Sequence, residues 1–302
     1  MQLTILPTES PPPARRLPPW LKKSLPTGDV LLQTRQIVAE SGVATVCEQA
    51  RCPNLMECWS KKHATFMILG DKCTRRCSFC AVTTAKPEPP AADEPRRLAI
   101  AAARLGLRHM VITAVARDDL DDEGAGHFAE CVIETRRRLP QCAIEVLPAD
   151  FHGRPELIQL LCDAGPDIYN HNQETTERLS PKIRPAARYR RTLDVLRQVK
   201  EYKPHIFTKS GLMVGLGETR EEFKQTMQDL RDVGVDILTV GQYLQPTPAH
   251  APVARYLPPA EFDEIGAEAK AMGFKSVASG PFVRSSYNAA DVYAAIEQRR
   301  GG

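Results

Sequence analysis

From residue 64 onward, short apolar runs of β character alternate with longer stretches of helical period, and this alternation restricts the fold more than any other feature of the chain. The strand candidates span residues 64–69, 109–114, 143–148, 167–172, 206–215 and 237–244, with helix candidates at 93–105, 125–139, 155–164, 190–202 and 219–233 between them. Gly106, Gly165 and Gly234 stand where helix stops belong, because glycine takes the left-handed conformation without steric cost. Thr219, followed three residues later by Glu222, has the form of a capping box ahead of Phe223, Met227 and Leu230. Five consecutive βα steps and a sixth strand predict parallel strands with helices outside, and 260–272 with 276–278 offer one more helix and a short strand. Six units are fewer than a closed eightfold barrel needs, so a partial (β/α)6 TIM-like barrel fits the count. A doubly wound open sheet is the rival, since both bury parallel strands.

The flanks read differently. Residues 1–26 carry Pro7, Pro11, Pro12, Pro13, Pro18 and Pro19 with Arg15 and Arg16, which predicts an extended arm and excludes the apolar core of a signal peptide. Residues 27–63 form an N-terminal extension, with a short amphipathic helix over 29–44 that carries Leu31, Leu32, Ile37 and Val38 on one side. The barrel is expected over 64–258 and a C-terminal extension over 259–302. At 302 residues and 42% hydrophobic, the chain can bury a large core, and a formal charge of +3 gives no case for wholesale nucleic-acid binding. No run is long and apolar enough to span a bilayer. A reducing compartment, the cytoplasm, is the expected location, where clustered cysteines more often bind metal than form disulfides.

Six of the nine cysteines crowd into two triplets, Cys47, Cys52 and Cys58, then Cys73, Cys77 and Cys80. Three thiolates at short, unequal spacing suit an iron–sulfur cluster, and three can hold three irons of a 4Fe-4S cube while leaving the fourth open. The alternatives are a zinc site completed by His63 or His109, or buried hydrophobic cysteines. Cys131, Cys142 and Cys162 lie inside strand or helix candidates and read as core.

In βα barrels the chemistry sits at the C-terminal ends of the strands, and the unusual residues here collect there. Strand one runs into Cys73-Thr-Arg-Arg-Cys77-Ser-Phe79-Cys80, strand two into Arg117-Asp118-Asp119, strand four into Asn170-His171-Asn172-Gln173-Glu174, strand five into Gly215-Leu-Gly217-Glu218 and strand six into Gln242-Tyr243. Gly215 and Gly217 allow close backbone approach to a ligand, or belong to an ordinary β-to-helix turn with Glu218 as its N-terminal acid. Asn172 and Glu174 read equally as ligand groups or as a capped turn before Thr175. Arg117, Asp118 and Asp119 read equally as a solvated salt-bridge cluster or a substrate site. The run Lys182, Arg184, Arg188, Arg190 and Arg191 is either a solvated helix entrance or a basic rim.

The C-x3-C-x2-C motif after a first strand resembles the signature of the radical S-adenosylmethionine (SAM) superfamily. Together with C-x4-C-x5-C it resembles the lipoyl synthases, through Val46-Cys-Glu-Gln-Ala-Arg-Cys-Pro-Asn54, Glu57-Cys-Trp59, Gly70-Asp-Lys-Cys73, Ala116-Arg-Asp-Asp119, Asn170-His-Asn172, Gly215-Leu-Gly-Glu-Thr219 and Gly280-Pro-Phe-Val-Arg-Ser-Ser-Tyr287. The resemblance spans residues 43 to 290 and implies two 4Fe-4S clusters. One, on Cys73, Cys77 and Cys80, cleaves SAM to a 5′-deoxyadenosyl radical. The auxiliary one, on Cys47, Cys52 and Cys58 with a serine oxygen, Ser286 ahead of Ser285, gives up sulfur. It also implies that Phe79, Asn172, Glu174, Arg184, Gly215, Gly217 and Glu218 border SAM. The implied reaction replaces one hydrogen at C6 and one at C8 of an octanoyl-lysine with sulfur. The implied partners are octanoylated lipoyl carrier domains or glycine-cleavage H protein, an electron donor such as ferredoxin or flavodoxin, and iron–sulfur assembly proteins. A two-cluster electron carrier, a zinc-binding nucleic-acid module and a biotin-synthase-like or methylthio-transferring relative are the rival readings.

Overall fold

A computed structural model describes residues 17–23, 26 and 28–286. The rest of the proline-rich arm, Tyr287 and residues 288–302 lie outside it. Seven strands form one parallel sheet: β1 (Thr65–Ile68), β2 (His109–Ala114), β3 (Ala143–Leu147), β4 (Ile168–Asn170), β5 (Phe207–Val214), β6 (Ile237–Gln242) and β7 (Ser276–Gly280), in that spatial order. Six helices alternate with them: α1 (Glu94–Leu105), α2 (Ala125–Arg138), α3 (Pro155–Asp163), α4 (Tyr189–Tyr202), α5 (Arg220–Asp232) and α6 (Pro259–Ala271). Ala44–Thr45 adds a short antiparallel strand beside β1. Among the described residues β7 pairs only with β6, so the sheet stays open as a partial barrel.

The expected elements hold, with their ends trimmed by local chemistry. The helix expected over 29–44 stops at Ser41, because Gly42 turns left-handed at φ 61°. The strand expected over 167–172 is regular only at 168–170. Its continuation bends at Glu174, φ 65°, while still bonding along β5 through Glu174 N to Gly211 O (2.9 Å) and Met213 N to Glu174 O (2.8 Å). The boundary expected at 258/259 precedes α6 and β7, which continue the same sheet. Thr219 and Glu222 complete both halves of the capping box. Gly106 caps α1 at φ 68°.

Alternation along the strands divides the residues between two faces. Leu212, Val214, Leu238 and Val240 pack outward on Leu196, Phe223 and Phe262 of the helices. On the inner face Ile168, Phe207 and Ile237 form a separate apolar layer. One step along the strands from it, Lys209 Nζ meets both oxygens of Glu145 at 2.9 Å, and Asn170 Nδ2 donates to Glu145 Oε1 at 2.8 Å. Lys209 and Glu145 are both buried, so removing either partner would strand a charge in the barrel interior. Cys131, Cys142 and Cys162 are core residues, as expected.

Candidate functional site

The Cys73–Cys80 loop leaves the C-terminal end of β1 and is fastened to four neighbouring segments. Arg75, nine-tenths buried, holds Asp118 beyond β2 through Nε (2.9 and 3.0 Å) and Nη2 (2.6 Å), and its Nη1 reaches Asp150 beyond β3 at 2.8 Å. Thr74 N donates to Ala116 O (3.1 Å), and Ser78 N donates to Ile183 O (2.9 Å). His250 Nε2 lies 3.0 Å from Cys80 O. Burial alone would raise the Asp150 carboxyl, but Arg75 and Arg191 outweigh it and hold its pKa at about 2. The clamp is therefore ionised at any ordinary pH.

Cys73, Cys77 and Cys80 are free and half-buried. Burial pushes Cys77 up to about 11, against the pull of Arg184, and Cys80 up to about 12. A thiol so placed ionises when a bound metal displaces its proton. Phe79 packs against Leu179, Ile183, Leu216, Tyr243 and Ala251. Glu174 lies within the field of Arg184; burial raises its pKa, while Arg184 and Asn172 oppose that shift. Asn172 Oδ1 is buried without a hydrogen-bond partner among the described residues.

Other rim residues are engaged more locally than sequence suggested. Arg184 Nη1 donates to Asn172 O (2.7 Å) and Gln173 O (2.9 Å), so it braces the strand end. Both Glu218 oxygens accept backbone amides, from Gly215 (2.5 Å) and Leu216 (2.9 Å), and so close the turn. Gly215 is required there: φ is 95°, and a Cβ would sit 2.3 Å from Arg255 O. Arg117 is buried, bonded to Asp119 at 2.9 Å and to Leu69 O at 3.2 Å, while Asp118 and Asp119 are exposed, so the cluster is a buried guanidinium paired with carboxylates at the solvent edge. In the basic run, Arg190 pairs with Glu177 and Arg191 with Asp150, while the Lys182 and Arg188 side chains are exposed. Arg75 and Asp150 escaped sequence reasoning, although two arginines between two cysteines were a visible signal.

The second triplet lies outside the sheet and lines its own cavity of about 40 Å³. Cys47 stands on the short helix Val46–Gln49, which Thr45 caps; Cys52 is tied back by its amide to Cys47 O (3.0 Å); Cys58 stands on the helix Leu55–Ser60. Ser286 and Arg284 line the same cavity, with His63 and His109; Ser285 is not on its wall. Burial raises Cys47 to about 11 and Cys58 to about 12.

Spacing tests the donor set. Among the described residues, the group of metal-ligating atoms gathered within 4.8 Å is Asp118, Glu123 and His152, where Arg75 and Arg154 already supply the positive charge. Neither cysteine triplet is gathered that tightly. A single zinc at about 2.3 Å from each sulfur would hold them within about 4.6 Å, whereas a cluster of several irons spreads its thiolates further apart. Three free thiols around a cavity suit a cluster better than one ion.

Residues 67–230 match the family model described as the Radical SAM superfamily. The fold is shared with solved structures: methylornithine synthase has a TM-score of 0.52 at 16% identity over 78% of this chain and 81% of that one. The FeFe-hydrogenase maturase HydG from Carboxydothermus hydrogenoformans has 0.55 at 13% identity over 89% and 78%. The chain belongs to the radical SAM enzymes. Within them it belongs to the lipoyl synthases, being 53% identical to that of Pasteurella multocida over 95% of this chain and 91% of the relative. It is 49% identical to that of Symbiobacterium thermophilum over 100% and 94%.

Proposed function

We propose that this lipoyl synthase carries a SAM-cleaving 4Fe-4S cluster on Cys73, Cys77 and Cys80 and an auxiliary, sulfur-donating 4Fe-4S cluster on Cys47, Cys52, Cys58 and Ser286. The reaction adds sulfur at C6 and C8 of an octanoyl chain on a carrier-protein lysine. The observation that carries this reading is the convergence of Cys47, Cys52, Cys58 and Ser286 on one cavity separate from the Cys73–Cys80 loop. When bound, the first cluster supplies the one-electron reduction of SAM that generates a radical able to take unactivated hydrogens, and the second supplies sulfide. Acid–base chemistry has no purchase on such C–H bonds.

The residues' own tasks follow. Arg75 and Ser78 fix the Cys73–Cys80 loop against the barrel. Phe79, Asn172, Glu174, Arg184 and the Gly215–Glu218 turn border the SAM position, where Glu174 and the buried carbonyl oxygen of Asn172 accept hydrogen bonds. Gly215, Gly217 and Glu218 contribute the turn itself more than direct contacts. With SAM and substrate in place, the barrel interior keeps water and stray hydrogen donors from the reacting carbon. A serine oxygen, harder than a thiolate, makes one iron of the auxiliary cluster exchangeable. Exposed Lys182 and Arg188 offer an acidic carrier, a lipoyl domain or H protein, a basic approach to the rim. Among the described residues no helix is long and apolar enough to cross a membrane. The reaction calls for a reducing compartment, which we take to be the cytoplasm, with a ferredoxin-like reductant and iron–sulfur assembly proteins.

The test is anaerobic reconstitution followed by mass spectrometry of an octanoyl-lysine peptide incubated with SAM and reductant. Two sulfur atoms should be gained per peptide, with about eight irons bound per chain beforehand. About four irons, or no sulfur gain, would refute the assignment.

A further inference from the structure

The auxiliary cavity is lined by the Cys47–Cys58 loop, the starts of β1 and β2, and Arg284 with Ser286, and one lysine outside that lining contacts both the loop and the segment that carries Ser286. Lys23 Nζ donates to Asn54 Oδ1 (2.6 Å) and to Glu57 Oε2 (2.6 Å), both in the Cys47–Cys58 loop, and lies 4.4 Å from the ring centre of Phe282. Asn54, itself buried, uses the other end of its amide to donate to Phe282 O at 2.7 Å. Both ends of that amide are thus engaged, so its orientation is fixed by chemistry. Four residues beyond Phe282 comes Ser286, on the cavity wall. Between them, Val283 O packs onto β6 so closely that a Cβ on Gly241 would sit 2.0 Å from it. The segment carrying Lys23 is anchored in turn: Leu21 is buried and Trp20 Nε1 donates to Leu257 O at 3.1 Å.

We propose that Lys23 is the latch of the auxiliary site, a positioning residue that sets how fast the cluster there is lost and rebuilt. The inference rests on the assignment of Cys47, Cys52, Cys58 and Ser286 to that cluster. A site whose sulfur is consumed must be reopened after each product, and the 281–286 segment is the wall that can lift. It has no strand pairing among the described residues and is held by the Asn54 amide, the Lys23 ammonium over the Phe282 ring, and its seat on Gly241. Lys23 is the side chain of that set supplied from outside both the cysteine loop and the wall, the Gly241 seat being backbone of β6. It can release without disturbing a ligand.

The test uses the full-length protein reconstituted with both clusters and challenged with an iron chelator, following each cluster by Mössbauer and electron paramagnetic resonance spectroscopy. Lys23→Met should lose auxiliary iron about tenfold faster than the wild type, the scale of one half-exposed ion pair, one hydrogen bond and one cation–π contact. Iron at Cys73, Cys77 and Cys80 should leave at the wild-type rate, and SAM cleavage should persist, reporting a folded barrel. Lys23→Arg, which keeps the charge, should return close to wild type. Phe282→Leu, which removes only the ring beneath the ammonium, should accelerate auxiliary loss about threefold. Equal auxiliary loss in Lys23→Met, Phe282→Leu and wild type would overturn the latch. Wild-type protein that holds a single cluster would instead overturn the auxiliary-site assignment beneath it.

Discussion

The Cys73–Cys80 loop and the Cys47–Cys58 loop each offer three free thiols and are held by opposite means. The first is bolted to the scaffold: Arg75 ties it to Asp118 and Asp150, on loops that follow barrel strands, and Ser78 to Ile183, at the end of the short helix Ser180–Ile183. The second is enclosed by pieces from both flanks of the barrel, Lys23 on one side and Phe282 to Ser286 on the other. A site used unchanged over many turnovers benefits from rigid anchoring to the sheet, and one that must be emptied and refilled benefits from walls that can separate. The shared chemistry, with burial raising Cys47 and Cys58 in one loop and Cys77 and Cys80 in the other, sets the difference in anchoring apart as the informative variable.

The sharpest way to break this comparison is to delete one thiol from each loop. Cys77→Ala should abolish SAM cleavage to 5′-deoxyadenosine, by at least about a thousandfold, because the radical has no other source. Cys52→Ala should leave SAM cleavage within about twofold while abolishing sulfur gain, with both products read by liquid chromatography and mass spectrometry. If both variants lose both activities, the two loops form one site.

Next come substitutions that attack the anchoring rather than the ligands. Arg75→Ala takes from Asp118 and Asp150 their shared cation, leaving Asp150 to Arg191 and Asp118 to Thr74 and solvent, and should cost about 1–3 kcal/mol in denaturant unfolding, with iron lost first from the Cys73–Cys80 loop. Gly241→Ala should cost about 1–3 kcal/mol by driving a methyl group into Val283 O, and should deplete the auxiliary site while sparing the other. Iron counting with spectroscopy of each variant checks the direction; reversed depletion would break the contrast.

The effect that bears least on the contrast concerns pH. Burial, helped by Arg184, holds the His171 imidazole neutral with a pKa of about 4, and burial does the same for His109, against the pull of Glu145. The unfolded chain takes up these protons near pH 6.5, so the stability they contribute is complete above that value and is lost as pH falls toward 4. Stability of the metal-free protein should fall by up to about 1.4 kcal/mol per pH unit for each imidazole over that range. His171→Asn, which can keep the donor to Pro148 O, should flatten the profile by roughly one proton. Denaturant titrations at several pH values measure it; a flat profile in the wild type would show that these imidazoles do not carry the acid response.

Much of this architecture was legible in the sequence because strand alternation, helix stops and a capping box are local. His109–Ala114 emerges with the expected limits, and Thr219 with Glu222 forms the expected cap. The cysteine spacings marked both loops for the same reason. What was hidden depends on contacts between distant residues. Arg75 meets Asp150 only when the ends of β1 and β3 share a rim, and nothing near Lys23 announces that it reaches Phe282. Glu218 looked available for a ligand because the turn that occupies both its oxygens forms only when Gly215 takes its left-handed conformation. Lys209 and Glu145, charges inside apolar strands, could have signalled a polar layer on the inner face, but their pairing across two strands could not be read from either one.

The division of labour between the loops is tested most directly by reconstituting the protein with heavy-isotope sulfide and running a single turnover on an octanoyl-lysine peptide with unlabelled SAM and reductant. The expected result is a peptide carrying two heavy sulfur atoms, with auxiliary-site iron released while the Cys73, Cys77 and Cys80 cluster keeps its spectrum. Light sulfur in the product, or iron lost instead from the Cys73–Cys80 loop, would contradict it.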